Sequence, residues 1–189
     1  MGLLIACSSQ ASSVPPSTFT TRYLETAEDY LRRGDRYSEV QDYDRAIMDY
    51  DQAIRLKPYY AEAYNNRGYA YYWKGDLMQA IADYTRALEW RPNYAYAYNN
   101  RGAAYMASGH PDQAIFDFSR AIQFQPDFPQ AFTNRANAYL RTGRFNLAIA
   151  DFRQAGQDPV AGIVVFCGLW ALIGLLAYRL WFAWFRKAG

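Results

Sequence analysis

AEAYNNRGYAYYWKGDLMQAIADYTRALEWRP, residues Ala61 to Pro92, holds the pattern from which the rest of the chain is read. Tyr64, Gly68 and Tyr71 recur at helical spacing, Gly75 and Asp76 interrupt the run, and Ala80, Tyr84, Ala87 and Leu88 resume it until Pro92. Displaced by thirty-four residues, the chain falls on itself. Gly34, Gly68 and Gly102 align, with Ala136 in the fourth copy, and so do Tyr30, Tyr64, Tyr98 and Phe132. Tyr37, Tyr71, Tyr105 and Tyr139 align, as do Ala46, Ala80, Ala114 and Ala148. Tyr50, Tyr84, Phe118 and Phe152 follow, then Ala53, Ala87, Ala121 and Ala155, and finally Pro58, Pro92 and Pro126. Gly68 and Ala80 are small where two helices approach, and Tyr71 and Tyr84 fill the space beside them. One such hairpin cannot bury its apolar face alone, so at least three copies must stack, and four are present.

This order of aromatic, small residue, alanine, aromatic, alanine and proline at this period resembles the tetratricopeptide repeat, over Ala27 to about Pro159 without a gap. The resemblance implies an all-α fold: a right-handed superhelix of four helix-turn-helix repeats at 27–60, 61–94, 95–128 and 129–159, within a domain spanning 21–158. Helices are expected over Thr21 to Val40, Tyr43 to Leu56, Ala61 to Lys74, Leu77 to Glu89, Ala95 to Ser108, Pro111 to Gln123, Pro129 to Arg141 and Phe145 to Ala155.

A net charge of +2 gives no reason to expect a nucleic acid as partner. Aromatic residues make up 18% of the chain, which the repeat positions account for. The two cysteines, Cys7 and Cys167, are too far apart to argue for a disulfide framework or a zinc site. His110, the one histidine, precedes Pro111 in an inter-helix turn where other copies have Asp42, Asp76 and Arg144, and reads as a solvated turn residue. With no phosphate loop, no histidine placed as a general base and no cluster of metal ligands, no enzyme, cofactor or metal is expected.

Two departures from the commonest repeat carry information. Where the family usually has leucine before the glycine, this chain has Arg33, Arg67, Arg101 and Arg135, and sixteen residues later Asp49, Asp83, Asp117 and Asp151. Four matched pairs at constant separation predict ion pairs that bridge helices, within a hairpin or between neighbours. The second departure concerns the concave surface, which in this family is lined by the first helix of each hairpin and binds extended peptides. Carried onto this chain, the lining is Arg32 and Asp35, then Asn65, Asn66, Tyr69, Tyr72 and Trp73. Asn99, Asn100 and Met106 follow, then Gln130, Asn134, Asn137 and Arg141. Asn66, Asn100 and Asn134 form a once-per-repeat ladder of amides able to meet a peptide backbone. The family's basic clamp for acidic chaperone tails is not expected, because the matching places hold Leu31, Asp35, Asn66, Tyr96 and Asn100, of which one asparagine agrees.

Both ends of the chain are distinct from the repeats. Residues 1–20 read as a flexible arm. Leu4-Ile5-Ala6-Cys7 resembles a lipobox, though only six residues precede the cysteine, so its lipidation requires a start further upstream. Gly2 falls short of a myristoylation site because Ala6 stands where Ser or Thr is needed. Val160 to Tyr178 is nineteen residues without a charge, about 28 Å as a helix, and predicts a single transmembrane helix. Its aromatic interfacial end, with Trp181, Phe182, Trp184 and Phe185, carries the segment to residue 185. Cys167, Ala171, Gly174 and Tyr178 give it a small-residue packing face. A span so near the C-terminus resembles a tail anchor and leaves the repeats in the cytoplasm; a lipidated Cys7 places them on the opposite side. The expected function is a membrane-anchored protein-protein interaction adaptor that grips a partner protein in the groove during assembly or targeting of a membrane complex. The alternative is a permanent structural subunit, held in a larger complex within the lipid bilayer by its transmembrane helix.

Overall fold

A computed structural model describes residues 25–157 as eight helices: α1 (Ala27–Glu39), α2 (Tyr43–Leu56), α3 (Ala61–Lys74), α4 (Leu77–Trp90), α5 (Ala95–Ala107), α6 (Pro111–Phe124), α7 (Pro129–Arg141) and α8 (Phe145–Gln154). The expected bounds hold for α2, α3 and α7 and differ by one residue at the ends of α4, α5, α6 and α8. The start of α1 is a correction. Thr26 caps the helix by accepting from the Asp29 backbone N–H while the Asp29 carboxylate accepts from the Thr26 N–H, so Glu25 and Thr26 precede the helix rather than extend it. The arm with Gly2 and Cys7, and the segment 160–185 with Cys167, Ala171, Gly174 and Tyr178, lie outside the described residues. Among the described residues no helix is long and apolar enough to cross a membrane.

Within a hairpin, packing is set by glycine against a ring. A Cβ on Gly34, Gly68 or Gly102 would lie 2.6, 2.9 or 2.7 Å from the ring of Tyr50, Tyr84 or Phe118, so only glycine lets the two helices close on that aromatic. The fourth hairpin has Ala136 instead, buried in one cluster with Phe152. Between hairpins, the same rings reach forward. Tyr50 and Ala46 cluster with Ala70 of α3, Tyr84 and Ala80 with Ala104 of α5, and Phe118 and Ala114 with Ala138 of α7. Each cluster therefore takes its last wall from the next copy, which is why one hairpin does not suffice.

The four arginines act as staples. Nε and Nη2 of Arg33, Arg67, Arg101 and Arg135 donate to both carboxylate oxygens of Asp49, Asp83, Asp117 and Asp151 at 2.7 to 2.8 Å, across the two helices of one hairpin. Nη1 then reaches out of the hairpin, to Asp51, Thr85 and Ser119 of the preceding copy. Arg33, in the first copy, turns its Nη1 to Glu25. Thr85 and Ser119 each donate their own hydroxyl proton to a carbonyl four residues back and are left to accept from the guanidinium. Aromatic faces flank the guanidinium as well: Arg67 lies 5.5 Å from the Tyr64 ring and 6.0 Å from Tyr71, and Arg101 and Arg135 repeat the arrangement. Burial works against the Arg67 charge, and the hydrogen bonds it donates to Asp83 and Asp51 overcome it, holding the group above its ordinary value. Burial pushes the Asp83 carboxyl upward while Arg67 pulls the other way.

The stack is curved. Neighbouring first helices touch, α1 with α3, α3 with α5 and α5 with α7, whereas no two second helices do. A double row that meets on one side and splays on the other bends toward the side that meets, so α1, α3, α5 and α7 form the inner row.

Candidate functional site

The inner row is held in register by side-chain amides. Asn66 Nδ2 donates to Asp35 Oδ1 of the preceding copy at 2.8 Å, Asn100 to Asn65 Oδ1 at 3.1 Å and Asn134 to Asn99 Oδ1 at 2.9 Å. Asn65 and Asn99 are buried, 7% and 4% exposed, and act as acceptors beneath the ladder. The ladder of Asn66, Asn100 and Asn134 is thus already tied backward, one N–H per amide, because the inner helices are close enough for the amides to reach each other. Each keeps a second N–H for an external acceptor. Asn66 Oδ1 accepts from Asn65 at 3.0 Å.

Two cavities open along this row. The larger, about 430 Å³, lies where α3, α5 and α7 meet and brings together Tyr72, Met106, Asn134, Asn137 and Arg141 from the sequence-predicted set. The smaller, about 220 Å³, lies between the first two copies and brings together Asp35, Asn65, Asn66 and Tyr69. Arg32, Trp73, Asn99, Asn100 and Gln130 line neither. Arg32 is exposed and pairs with Asp29 on its own helix. Gln130 is exposed at the start of α7. Trp73, 55% exposed, stands between the cavities with its ring edge-to-face against Tyr69 and Tyr72.

Sequence reasoning passes over the residues that open and colour these cavities. Ala103 and Ala107 line the larger one at positions where the second copy has Tyr69 and Trp73, and their lack of bulk is what leaves room. Its floor is Phe118, the register-mate of Tyr50 and Tyr84 without their hydroxyl. In the smaller cavity the Tyr50 hydroxyl donates to Asp35 Oδ1 at 2.9 Å, and burial together with that carboxylate pushes the Tyr50 pKa up. Ser38 and Glu39 complete that rim. The thirty-four-residue register names Ser38 from Tyr72, Glu39 and Ala107 from Arg141, and Ala103 from Tyr69, whereas Tyr50 and Phe118 come from the second helices. His110 is exposed, makes no cap for α6 and meets Ser108 Oγ at 3.2 Å. Among the described residues no group of three or more His, Cys, Asp or Glu is placed to hold a metal ion.

Family comparison matches this register. The description "TPR repeat" matches residues 34–75 and 68–109, and "Tetratricopeptide repeat" matches 95–128 and 129–155. Among solved structures the chain is similar to MamA, at 28% identity over 69% of this chain and 77% of that one, with a TM-score of 0.65. It is also similar to the Arabidopsis OM64 TPR domain, at 25% identity over 62% of this chain and 97% of that one, with a TM-score of 0.61. The first TPR of Spaghetti, solved bound to an HSP90 peptide, matches at 24% identity over 64% and 98% of the two chains with a TM-score of 0.61, a likeness of fold. No curated protein matches the chain significantly.

Proposed function

The chain belongs to the tetratricopeptide repeat family, and on that premise we propose that it is an adaptor holding an extended segment of a partner protein along its inner row of helices. The observation that carries this is the larger cavity, where side chains from three successive first helices converge around open space with amide N–H groups to spare. The uncharged run 160–178 then acts as a membrane anchor, so that the gripped partner stays beside a bilayer during assembly or targeting of a membrane complex. Only Gly156 to Pro159 separates the last repeat from that run, a tether too short to let the array move far from the surface.

Alanine at Asn66, Asn100 and Asn134 would loosen the stack as well as the groove, so the test uses exposed groups instead. Trp73→Ala with Asn137→Ala should abolish cross-linking of a partner in intact membranes while leaving far-UV circular dichroism unchanged. A photo-reactive residue at 73 or 137 should capture that partner, and one at the outer positions 48 or 116 should not. Equal capture from the outer face would refute the groove. Release of the full chain by an alkaline carbonate wash would refute the anchor.

A further inference from the structure

The inner row carries a direction. One register position is exposed in all four copies and reads Glu39, Trp73, Ala107 and Arg141, acid at one end and base at the other. The position one turn earlier reads Asp35, Tyr69, Ala103 and Asn137 and loses its charge in the same sense. The two cavities are the same cradle two copies apart, since Asp35, Glu39 and Tyr50 occupy in the smaller one the places of Ala103, Ala107 and Phe118 in the larger. Asp35 Oδ1 is taken by Tyr50 and Asn66, which leaves Oδ2, and among the described residues Glu39 and Arg141 enter no ion pair. Arg141 reaches across the larger cavity from α7 toward the Met106 carbonyl on α5, at 3.4 Å. Between the charged ends lie the rings of Tyr69, Tyr72 and Trp73, the side chains of Ala103, Met106 and Ala107, and the amides.

We infer, resting on the groove reading above, that this surface selects a polar order in its occupant: an extended peptide with a lysine or arginine at the α1 end and, toward α7, a large apolar side chain beside a carboxylate. The cation meets Glu39 and Asp35. The apolar side chain enters the space that Ala103 and Ala107 leave over Phe118, and the carboxylate meets Arg141. A peptide laid in the opposite sense sets its base against Arg141 and its acid against Glu39, so rim charges fix the direction even where backbone contacts to the amides would allow both.

The full chain in detergent micelles is presented with a display library of random twelve-residue peptides, and the enriched sequences are remade with a fluorescent label for anisotropy. Enriched peptides should place basic and apolar-acidic residues in one fixed order. Glu39→Lys and Arg141→Glu should each weaken a selected peptide about tenfold. The double variant Glu39→Lys, Arg141→Glu should prefer the same peptide with its charges exchanged. Enrichment with no charge order, or indifference of the double variant to the exchange, overturns the direction and leaves the groove standing. No enrichment at all overturns the groove and the direction together. All three variants are at exposed positions, and unchanged circular dichroism shows that binding alone is read.

Discussion

Arg67 and Trp73 stand on the same helix, six residues apart, and behave in opposite ways under translation by one repeat. Arg67 has its counterpart in every copy, and each counterpart makes the same two bonds to an aspartate in its own hairpin. Trp73 has Glu39, Ala107 and Arg141 as its counterparts, no two of one chemistry. The stapling face must match because adjoining hairpins share a wall and an acceptor, so a change in one is felt in its neighbour. Apart from the amide ladder of Asn66, Asn100 and Asn134, the inner face makes no contact that recurs in every copy, and there the sequence is free to differ. In this molecule the fold is carried where the period is kept, and recognition is to be sought where it breaks.

The largest effect is expected from breaking what is kept. Arg67 is 17% exposed and Asp83 5%, so Arg67→Met strands a buried carboxylate and should cost about 3 to 5 kcal/mol in urea denaturation followed by circular dichroism. Adding Asp83→Leu should return most of it. The sign of the pH dependence follows from burial. Burial already raises the Asp83 pKa, and removing Arg67 raises it further, so the folded state then holds a proton more tightly than the unfolded one. The deficit of Arg67→Met should therefore be smaller at acid pH and grow as pH rises toward neutrality. Arg33, 35% exposed and turned to Glu25, should lose less when truncated.

A step down in size are the glycines. Gly102→Ala puts a methyl 2.7 Å from the Phe118 ring and should destabilise by about 1 to 3 kcal/mol, measured in the same way. The fourth hairpin, built around Ala136, is the control: Ala136→Gly removes a methyl that is already accommodated and should cost about 1 kcal/mol. If Gly102→Ala were neutral, the close approach of α5 and α6 would not be what glycine is there for.

Helix number and most bounds are legible in the chain because glycine, proline and the aromatic period mark them directly. The start of α1 is misread although Thr26 and Asp29, three apart, spell a capping box. The arginine–aspartate separation is legible as a constant. What Nη1 touches is harder to read, since Asp51, Thr85 and Ser119 keep the thirty-four-residue register but not the residue type, and Glu25 lies outside it. That Asn65 and Asn99 are buried acceptors for the next copy's amides is not legible from one helix, since the partner lies thirty-five residues away. The openness of the larger cavity is hidden for a simpler reason: Ala103 and Ala107 make it by being small, and small residues in a helix attract no notice.

The smallest effect tests whether every break in the period belongs to recognition. The turn after each first helix has Gly75, Gly109 and Gly143 at φ 85, 82 and 74°, while the first copy has Gln41 at φ 61°. A side chain there costs about 1 to 2 kcal/mol against glycine, and part of that returns through the greater freedom glycine has when unfolded. Gln41→Gly should then stabilise the chain by about 0.5 to 1 kcal/mol in thermal unfolding. Gln41 follows α1 by two residues and lines neither inner cavity, so peptide binding should stay as it was. A gain in stability with unchanged binding makes Gln41 a defect of the turn and leaves the broken positions of the inner row as a separate class. Weakened binding would instead draw Gln41 into the acidic end of the groove beside Glu39, and the line between the two faces would have to be redrawn through the turn.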